Sequence, residues 1–147
     1  MKVVLQRSLN SSVSVNEKVV GKIDKGLVIF VCFTDGDNEY IIDKMINKIL
    51  KLRIFDDDKG IMNKSINDIG GSILSISQFT LYADTKKGNR PSYMHAMNGQ
   101  TASKLYEIFN NKLRSSINVE TGIFGSDMRV SITNDGPVTI ILESEDL

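Results

Sequence analysis

Cysteine and histidine are scarce in this chain of 147 residues, and their scarcity excludes several kinds of site. Cys32 is the only cysteine, so no disulfide can form within the chain, as is typical of proteins from a reducing compartment. We expect it to be a buried strand residue. His95 is the only histidine. A metal site built from several His and Cys ligands is therefore excluded. A Ser-His-Asp triad would have to use His95, so we expect a hydrolase with this sequence to work without a histidine base.

The chain also lacks an excess of charge and a long apolar segment. Its 18 basic and 18 acidic residues balance to a net charge of zero. Proteins that coat nucleic acid normally carry a basic surface, so this class is disfavoured, but a protein that grips one end of an RNA is not. No segment approaches the roughly 18 consecutive apolar residues of a membrane span, and the first residues lack a signal-type apolar stretch. We expect a cytoplasmic protein without a membrane partner.

What the sequence has is the composition of a globular protein, 41% hydrophobic and 24% charged. No linker, repeat or low-complexity tract divides it, so we predict one domain over residues 1–147. The expected fold is mixed α/β, a largely antiparallel sheet curved towards a barrel with two main helices. Alternating or continuous apolar runs predict strands, and helical spacing predicts helices from Tyr40 to about Leu52 and from Gln100 to Ser115. The predicted strands are 2–7, 11–15, 18–23, 26–33, 72–82, 128–133 and 138–142, with a short hairpin of 53–55 and 61–63.

Two short segments carry more specific information. The first motif, Ser-Gln-Phe-Thr-Leu at 77–81, ends a strong strand, and the second motif, Asn-Asp-Gly-Pro-Val-Thr at 134–139, links the last two strands. Each alone has an ordinary interpretation: the first could turn Phe79 and Leu81 towards the core, and the second could be a tight turn. Together they resemble the two signature motifs of the D-aminoacyl-tRNA deacylase family.

The resemblance covers the chain from end to end. Similar residues stand at 4–7, 53–55, 83–85, 90–92 and 121–122. The departures are small. Ser8 and Ser11 stand where the family more often has valine and alanine, and Tyr93 where phenylalanine is common. They concern local packing rather than the activity.

The resemblance implies hydrolysis of the ester bond of D-aminoacyl-tRNA, with no cofactor and no metal. Ser77, Gln78, Phe79 and Thr80 would be the catalytic residues. Backbone N–H groups around Gln78, Phe79 and Thr80 could form an oxyanion hole, while Ser77 and Thr80 orient the substrate or a water. Attack assisted by the ribose 2′-hydroxyl is the favoured mechanism, and Thr80 as covalent nucleophile is the alternative.

The resemblance also implies a homodimer and a chiral filter. Gly136 and Pro137, joined by a cis peptide, would enter the active site of the partner subunit, with Asn134 as a further substrate-binding residue. Their carbonyls would exclude an L-side chain whatever its identity. Glycyl-tRNA, which has no side chain to exclude, should be cleaved to some degree.

The remaining candidate contacts are with the RNA. Lys86 and Arg90, next to Lys87, could meet phosphates of the acceptor end, or the loop that holds them could simply be solvated. Phe124 could stack on the terminal adenine, or it could be a core residue. A different class of function also stays open, a module that binds a tRNA 3′ end or a small ligand without catalysis.

Overall fold

A five-stranded sheet forms the centre of the protein, which we describe over residues 1–147 from a computed structural model. Two helices, a two-stranded ribbon (β3 and β4) and short 3₁₀ turns at Phe79–Tyr82 and Ser144–Asp146 complete the fold. No helix is both long and apolar enough to span a membrane. In chain order, the strands and helices are β1 (Lys2–Val15), β2 (Lys18–Cys32), α1 (Glu39–Lys51), β3 (Phe55–Asp56), β4 (Met62–Lys64), β5 (Ser72–Ser77), α2 (Gly99–Arg114), β6 (Asn118–Thr121) and β7 (Arg129–Glu143).

The sheet is mixed, in the order β6-β5-β2-β1-β7. β1 pairs antiparallel with β2 and β7 along most of its length, whereas the shorter β5 and β6 add in parallel. The long ladders are therefore antiparallel, as expected. The tip of the β1–β2 hairpin folds across β5 and β6. The close approach is seen at Gly21, where an added Cβ would lie 2.9 Å from the carbonyl oxygen of Thr121. The sheet is thus curved, but β6 and β7 remain unpaired edges. The expectation of a sheet approaching a barrel is wrong in that respect.

Both predicted helices are confirmed to within a residue or two. Each begins at an asparagine that caps the helix: Asn38 accepts a hydrogen bond from the backbone N–H of Ile41, and Asn98 from that of Thr101. Their apolar faces cover one side of the sheet. The main core there includes Leu5, Leu27, Ile29, Met45, Ile49 and Phe109. A smaller cluster of Val13, Ile23, Val28, Leu74 and Ile76 fills the space under the folded hairpin.

Three of the predicted breaks between strands are absent, because the polar residues at these positions do not end a strand. The four predicted strands in 2–33 are two continuous strands, with Asn10 at φ 43° inside β1. The two predicted final strands are one, β7, which runs through the second motif. Conversely, the strand predicted over 72–82 ends at Ser77, and the rest of the first motif forms a 3₁₀ turn. The four-residue β6 was not predicted, since only Val119 in it is buried.

Ser8, one of the departures from the family pattern, offers a test of core packing. Its hydroxyl is buried without a hydrogen-bond partner, whereas the equally buried Ser11 donates to the carbonyl of Leu9 at 3.2 Å. An unsatisfied buried polar group costs about 1–3 kcal/mol. We expect Ser8→Ala to raise the free energy of unfolding in urea by about 1 kcal/mol, and Ser11→Ala to lower it by about 0.5–1 kcal/mol. A Ser8→Ala protein less stable than the wild type would contradict this assignment.

Candidate active site

A cavity of about 570 Å³ opens where β2 and β5 end. Its size is that of a small-molecule site, and most of its wall is apolar. Its few polar side chains include those of Ser77, Gln78, Ser126 and Asp127. The apolar wall includes Val31, Phe33, Ile76, Met97, Phe124 and Met128.

The first motif forms one wall of this cavity. The chain leaves β5 after Ser77 and turns at Gln78, whose backbone N–H donates to the carbonyl of Val31 at 2.9 Å. That N–H is therefore already paired within the sheet, which leaves the N–H groups of Phe79 and Thr80 as the candidate donors of the expected oxyanion hole. The first hydrogen bond inside the following 3₁₀ turn runs from the N–H of Leu81 to the carbonyl of Gln78, at 3.2 Å. The N–H groups of Phe79 and Thr80 precede this bond, where helical turns leave donors without internal acceptors.

Thr80 is set apart from the rest of the first motif. Ser77, Gln78 and Phe79 line the cavity, but Thr80 does not. Its hydroxyl oxygen accepts a short hydrogen bond from the side-chain amide of Gln78, at 2.6 Å. His95 is exposed and lines a separate, smaller cavity, and it forms no hydrogen bond with Thr80. No group of three His, Cys, Asp or Glu side chains is arranged to hold a metal ion.

Cys32 is buried, as predicted, but it also lines the cavity. Its thiol donates to the carbonyl of Phe79 at 3.3 Å and so fixes one end of the 3₁₀ turn. Burial raises the pKa of this thiol to about 11. The thiol therefore stays protonated near neutral pH and is a poor nucleophile, since the thiolate is the reactive form.

Phe124 packs against the core and also lines the cavity. Its ring packs on Tyr106, with ring centroids 5.9 Å apart, and Tyr106 in turn donates to the carbonyl of Ser75 at 2.7 Å. The other side of Phe124 faces the cavity. Half-buried and anchored to the core, it provides a rigid aromatic surface in the wall.

The second motif does not line this cavity. It forms a bulge in β7, in which the residues between Asn134 and Thr139 lie opposite the single residue Arg7 of β1. The peptide bond between Gly136 and Pro137 is cis, as the resemblance implies, and both residues are exposed. Asn134 shapes the bulge: its side chain accepts from the N–H of Val138 and donates to the hydroxyl of Thr139, both at 3.2 Å.

The pairing of the strands shows how far the two motifs are separated. Val31, at the cavity, pairs with Val3 of β1, whereas the bulge lies opposite Arg7. Four residues of a strand span about 13 Å. The structure therefore does not bring Gly136 and Pro137 to Ser77, Gln78 and Phe79 of the same chain.

Arg7 holds the bulge in place, a role that the sequence did not reveal. This buried side chain donates to the carbonyl of Asp135 at 2.9 Å and lies 3.4 Å from its carboxylate. It also donates to the carbonyl of Ile54 at 3.0 Å and to the carboxylate of Asp56 at 3.2 Å. The available signal was an arginine in the alternating register of Val3 and Leu5, within one of the stretches that match the family.

The basic residues lie on an exposed loop outside the first cavity. Backbone hydrogen bonds between Asp84 and Ser92, of 2.8 and 2.9 Å, close this loop at its base. Lys86, Lys87 and Arg90 are exposed and form no ion pair. Lys86 also borders the smaller cavity of about 250 Å³, together with Lys2 and His95. The loop therefore presents three exposed cations that have no acidic partner.

Comparison with known proteins agrees with the motifs. The model of the D-Tyr-tRNA(Tyr) deacylase family matches residues 4–143. The solved structure of a c-Myc DNA Unwinding Element Binding Protein is 38% identical, with a TM-score of 0.92 over 97% of this chain and 98% of that chain. A probable eukaryotic D-amino acid tRNA deacylase shares the fold at 18% identity, with a TM-score of 0.83 over 96% of this chain and 97% of that chain. The chain therefore belongs to the D-Tyr-tRNA(Tyr) deacylase family, and its reaction is the hydrolysis of D-aminoacyl-tRNA.

Proposed function

We propose that this protein is a cytoplasmic homodimer that hydrolyses D-aminoacyl-tRNA, and glycyl-tRNA more slowly, in sites that each combine the first motif of one chain with the second motif of the other. One observation carries the proposal. The first motif lines a ligand-sized cavity, whereas Gly136 and Pro137 are exposed on an ordered bulge outside that cavity. A second copy is the simplest source of the missing residues.

Hydrolysis of an activated ester requires a place for the carbonyl and for the charge that develops on its oxygen. The backbone N–H groups of Phe79 and Thr80 are the donors proposed for this oxyanion. Water adds to the carbonyl carbon, the bond to the ribose oxygen breaks, and that oxygen takes up a proton. The neighbouring 2′-hydroxyl assists the attack, and Ser77 and Gln78 position the substrate. Neither a metal ion nor a histidine base takes part.

The apolar wall suits the terminal adenosine. Its base would stack on Phe124, whose ring is held against Tyr106. Lys86 and Arg90, which have no acidic partner, would contact phosphates of the acceptor end. The ester would then lie at the first motif, between the wall and the opening.

The backbone of the second motif would distinguish D-aminoacyl from L-aminoacyl groups. The carbonyls of Gly136 and Pro137 from the partner would face the substrate's α-carbon, leaving space for hydrogen but not for a side chain in the L position. A filter of this kind works by exclusion, so it ignores the identity of a D-side chain. Glycine, with nothing to exclude, would be hydrolysed to some degree.

Two surface features support the dimer. β7 is an unpaired edge of the sheet, and the bulge is part of it. On the open face of the sheet, Ile141, Val4 and Phe30 form an apolar row across three paired strands, and Ile141 is largely exposed. A second copy packed there would cover this row and would carry its own second motif with it.

Thr80 separates the favoured mechanism from its alternative. If Thr80 only positions Gln78, Thr80→Ala should keep measurable activity, reduced about tenfold by loss of one hydrogen bond of roughly 1.4 kcal/mol. Rapid-quench experiments should find no acyl-enzyme in either protein. A D-tyrosyl ester trapped on Thr80 would establish covalent catalysis instead.

The proposed function is tested by comparing three substrates at equal enzyme concentration: D-tyrosyl-tRNA, L-tyrosyl-tRNA and glycyl-tRNA. We expect rapid hydrolysis of the first, slow but measurable hydrolysis of glycyl-tRNA, and no acceleration for the L-substrate. Tight binding of all three without hydrolysis would indicate the binding module. Rapid cleavage of L-tyrosyl-tRNA, or complete resistance of glycyl-tRNA, would show that Gly136 and Pro137 are no filter.

A further inference from the structure

Two exposed aromatic side chains line the cavity, and neither ring has a role in the reaction described above. The rings of Phe79 and Tyr93 meet edge to face, with centroids 5.0 Å apart and an angle of 73° between their planes. Phe79 is 58% exposed, Tyr93 is 39% exposed, and the adjacent Met94 is 88% exposed. Soluble proteins seldom expose neighbouring large apolar side chains without a binding partner.

The pair is held rigidly. Cys32 donates to the carbonyl of Phe79, as described above. On the other side, the N–H of Ala96 donates to the carbonyl of Tyr93 at 3.0 Å, and the N–H of Met97 donates to the carbonyl of Phe33 at 2.9 Å. Both rings therefore stand on backbone segments fixed to the end of β2.

The charges beside the pair indicate what it binds. Ser92 closes the base of the loop that holds Lys86, Lys87 and Arg90, and Tyr93 is the next residue. Cations that follow a phosphate backbone, next to aromatic rings that stack bases, are the usual elements of a site for single-stranded nucleic acid. An amino-acid side chain would match the rings but not the three cations.

We propose that Tyr93, supported by Phe79, stacks the nucleobase that precedes the terminal adenosine of the tRNA. The inference rests on the proposed function and extends it. The cavity takes the terminal adenosine, the aromatic pair takes the next base, and the basic loop takes the phosphates between and beyond them. Tyr93 is then a specificity residue that favours an esterified RNA end over an esterified nucleoside.

The test uses two D-tyrosyl minihelices that end in cytidine, cytidine and adenosine, one of them abasic at the position before the adenosine. For the wild type we expect kcat/KM to be about tenfold higher with the intact end than with the abasic end, mainly through KM. Tyr93→Ala should reduce this ratio to near one. Tyr93→Phe should preserve it, since the hydroxyl has no hydrogen-bond partner in the structure.

The matched control is Tyr40→Ala, which removes another exposed tyrosine, 68% exposed, from α1, where it does not line the cavity. It should keep the wild-type ratio. The inference is overturned if Tyr93→Ala keeps that ratio. If the ratio is kept because the variant slows both substrates equally, the pair would be assigned to the amino-acid side chain. The inference is also overturned if sedimentation shows that the variant dissociates the dimer. Failure of the proposed function would give a distinguishable result. The wild type would then hydrolyse each of the two D-tyrosyl minihelices no faster than the corresponding L-tyrosyl minihelix.

Discussion

Replacing Phe79 with proline is expected to slow the hydrolysis of D-tyrosyl-tRNA by about 100- to 1,000-fold relative to replacing it with alanine. Both variants lack the aromatic ring, so the comparison isolates the backbone N–H, which proline does not have. Loss of one oxyanion donor in other hydrolases costs about 10²–10³ in kcat. We expect the backbone to accept this change, because Phe79 is the first residue of a helical turn and Gln78 before it is non-helical, at φ −146° and ψ 82°.

Two measurements make this comparison decisive. Thermal unfolding of the proline and alanine variants should coincide, which shows that the turn has not been lost. Affinity for an uncleavable amide analogue, D-tyrosyl-3′-amino-adenosine, should change little, because the N–H acts on the charge that develops during the reaction. Equal rates for the two variants would remove the N–H of Phe79 from the mechanism.

Gly136→Ala is expected to reduce hydrolysis of D-tyrosyl-tRNA by at least about 100-fold, the scale expected when reacting groups are misplaced by about 1 Å. Gly136 has φ +135°, and a Cβ there would lie 2.8 Å from the side chain of Val138 and 2.9 Å from its backbone nitrogen. Alanine therefore cannot enter without reshaping the bulge that carries Pro137. A methyl group at this position therefore collides with its own chain.

Gly36→Ala is the matched control for this variant. Gly36 also has a positive φ, +93°, but open space surrounds the position of its Cβ, and it lies in the turn before α1. Its substitution should cost about 1–3 kcal/mol of stability from backbone strain alone and leave kcat/KM and selectivity unchanged. Wild-type activity in Gly136→Ala would mean that the geometry of the bulge does not matter for catalysis.

The structural features that could be predicted are those that depend on residues close together in the sequence. α1 and α2 were placed correctly because residues three and four apart share a helix face, so Ile42, Met45 and Ile49 mark the buried side without knowledge of the fold. The two motifs were found in the same way, as contiguous residues. Their local structure was less accessible. Asp-Gly is a strong turn signal, yet the second motif is a bulge within one strand, held there by contacts from elsewhere.

The missed residues depend on long-range contacts. Arg7 contacts Ile54, Asp56 and Asp135, which are 47, 49 and 128 positions away in the chain. Cys32 reaches the first motif only because β2 and β5 pair in parallel. Contacts between residues so far apart in the chain produce no periodic pattern in a single sequence. The same reasoning explains why Thr80 was grouped with Ser77 and Phe79: adjacency in a motif does not reveal the turn that removes its side chain from the cavity wall.

The claim that one active site combines two chains can be tested by mixing two inactive variants. Phe79→Pro disables the first motif and Gly136→Ala the second, so each homodimer should be at least about 100-fold impaired. A heterodimer purified through two different affinity tags contains one composite site in which both motifs are intact. We expect it to hydrolyse D-tyrosyl-tRNA at about half the rate of the wild-type dimer, since one of its two sites is restored. If both motifs serve the site of their own chain, no intact site exists in the heterodimer, and it would be as inactive as its parents.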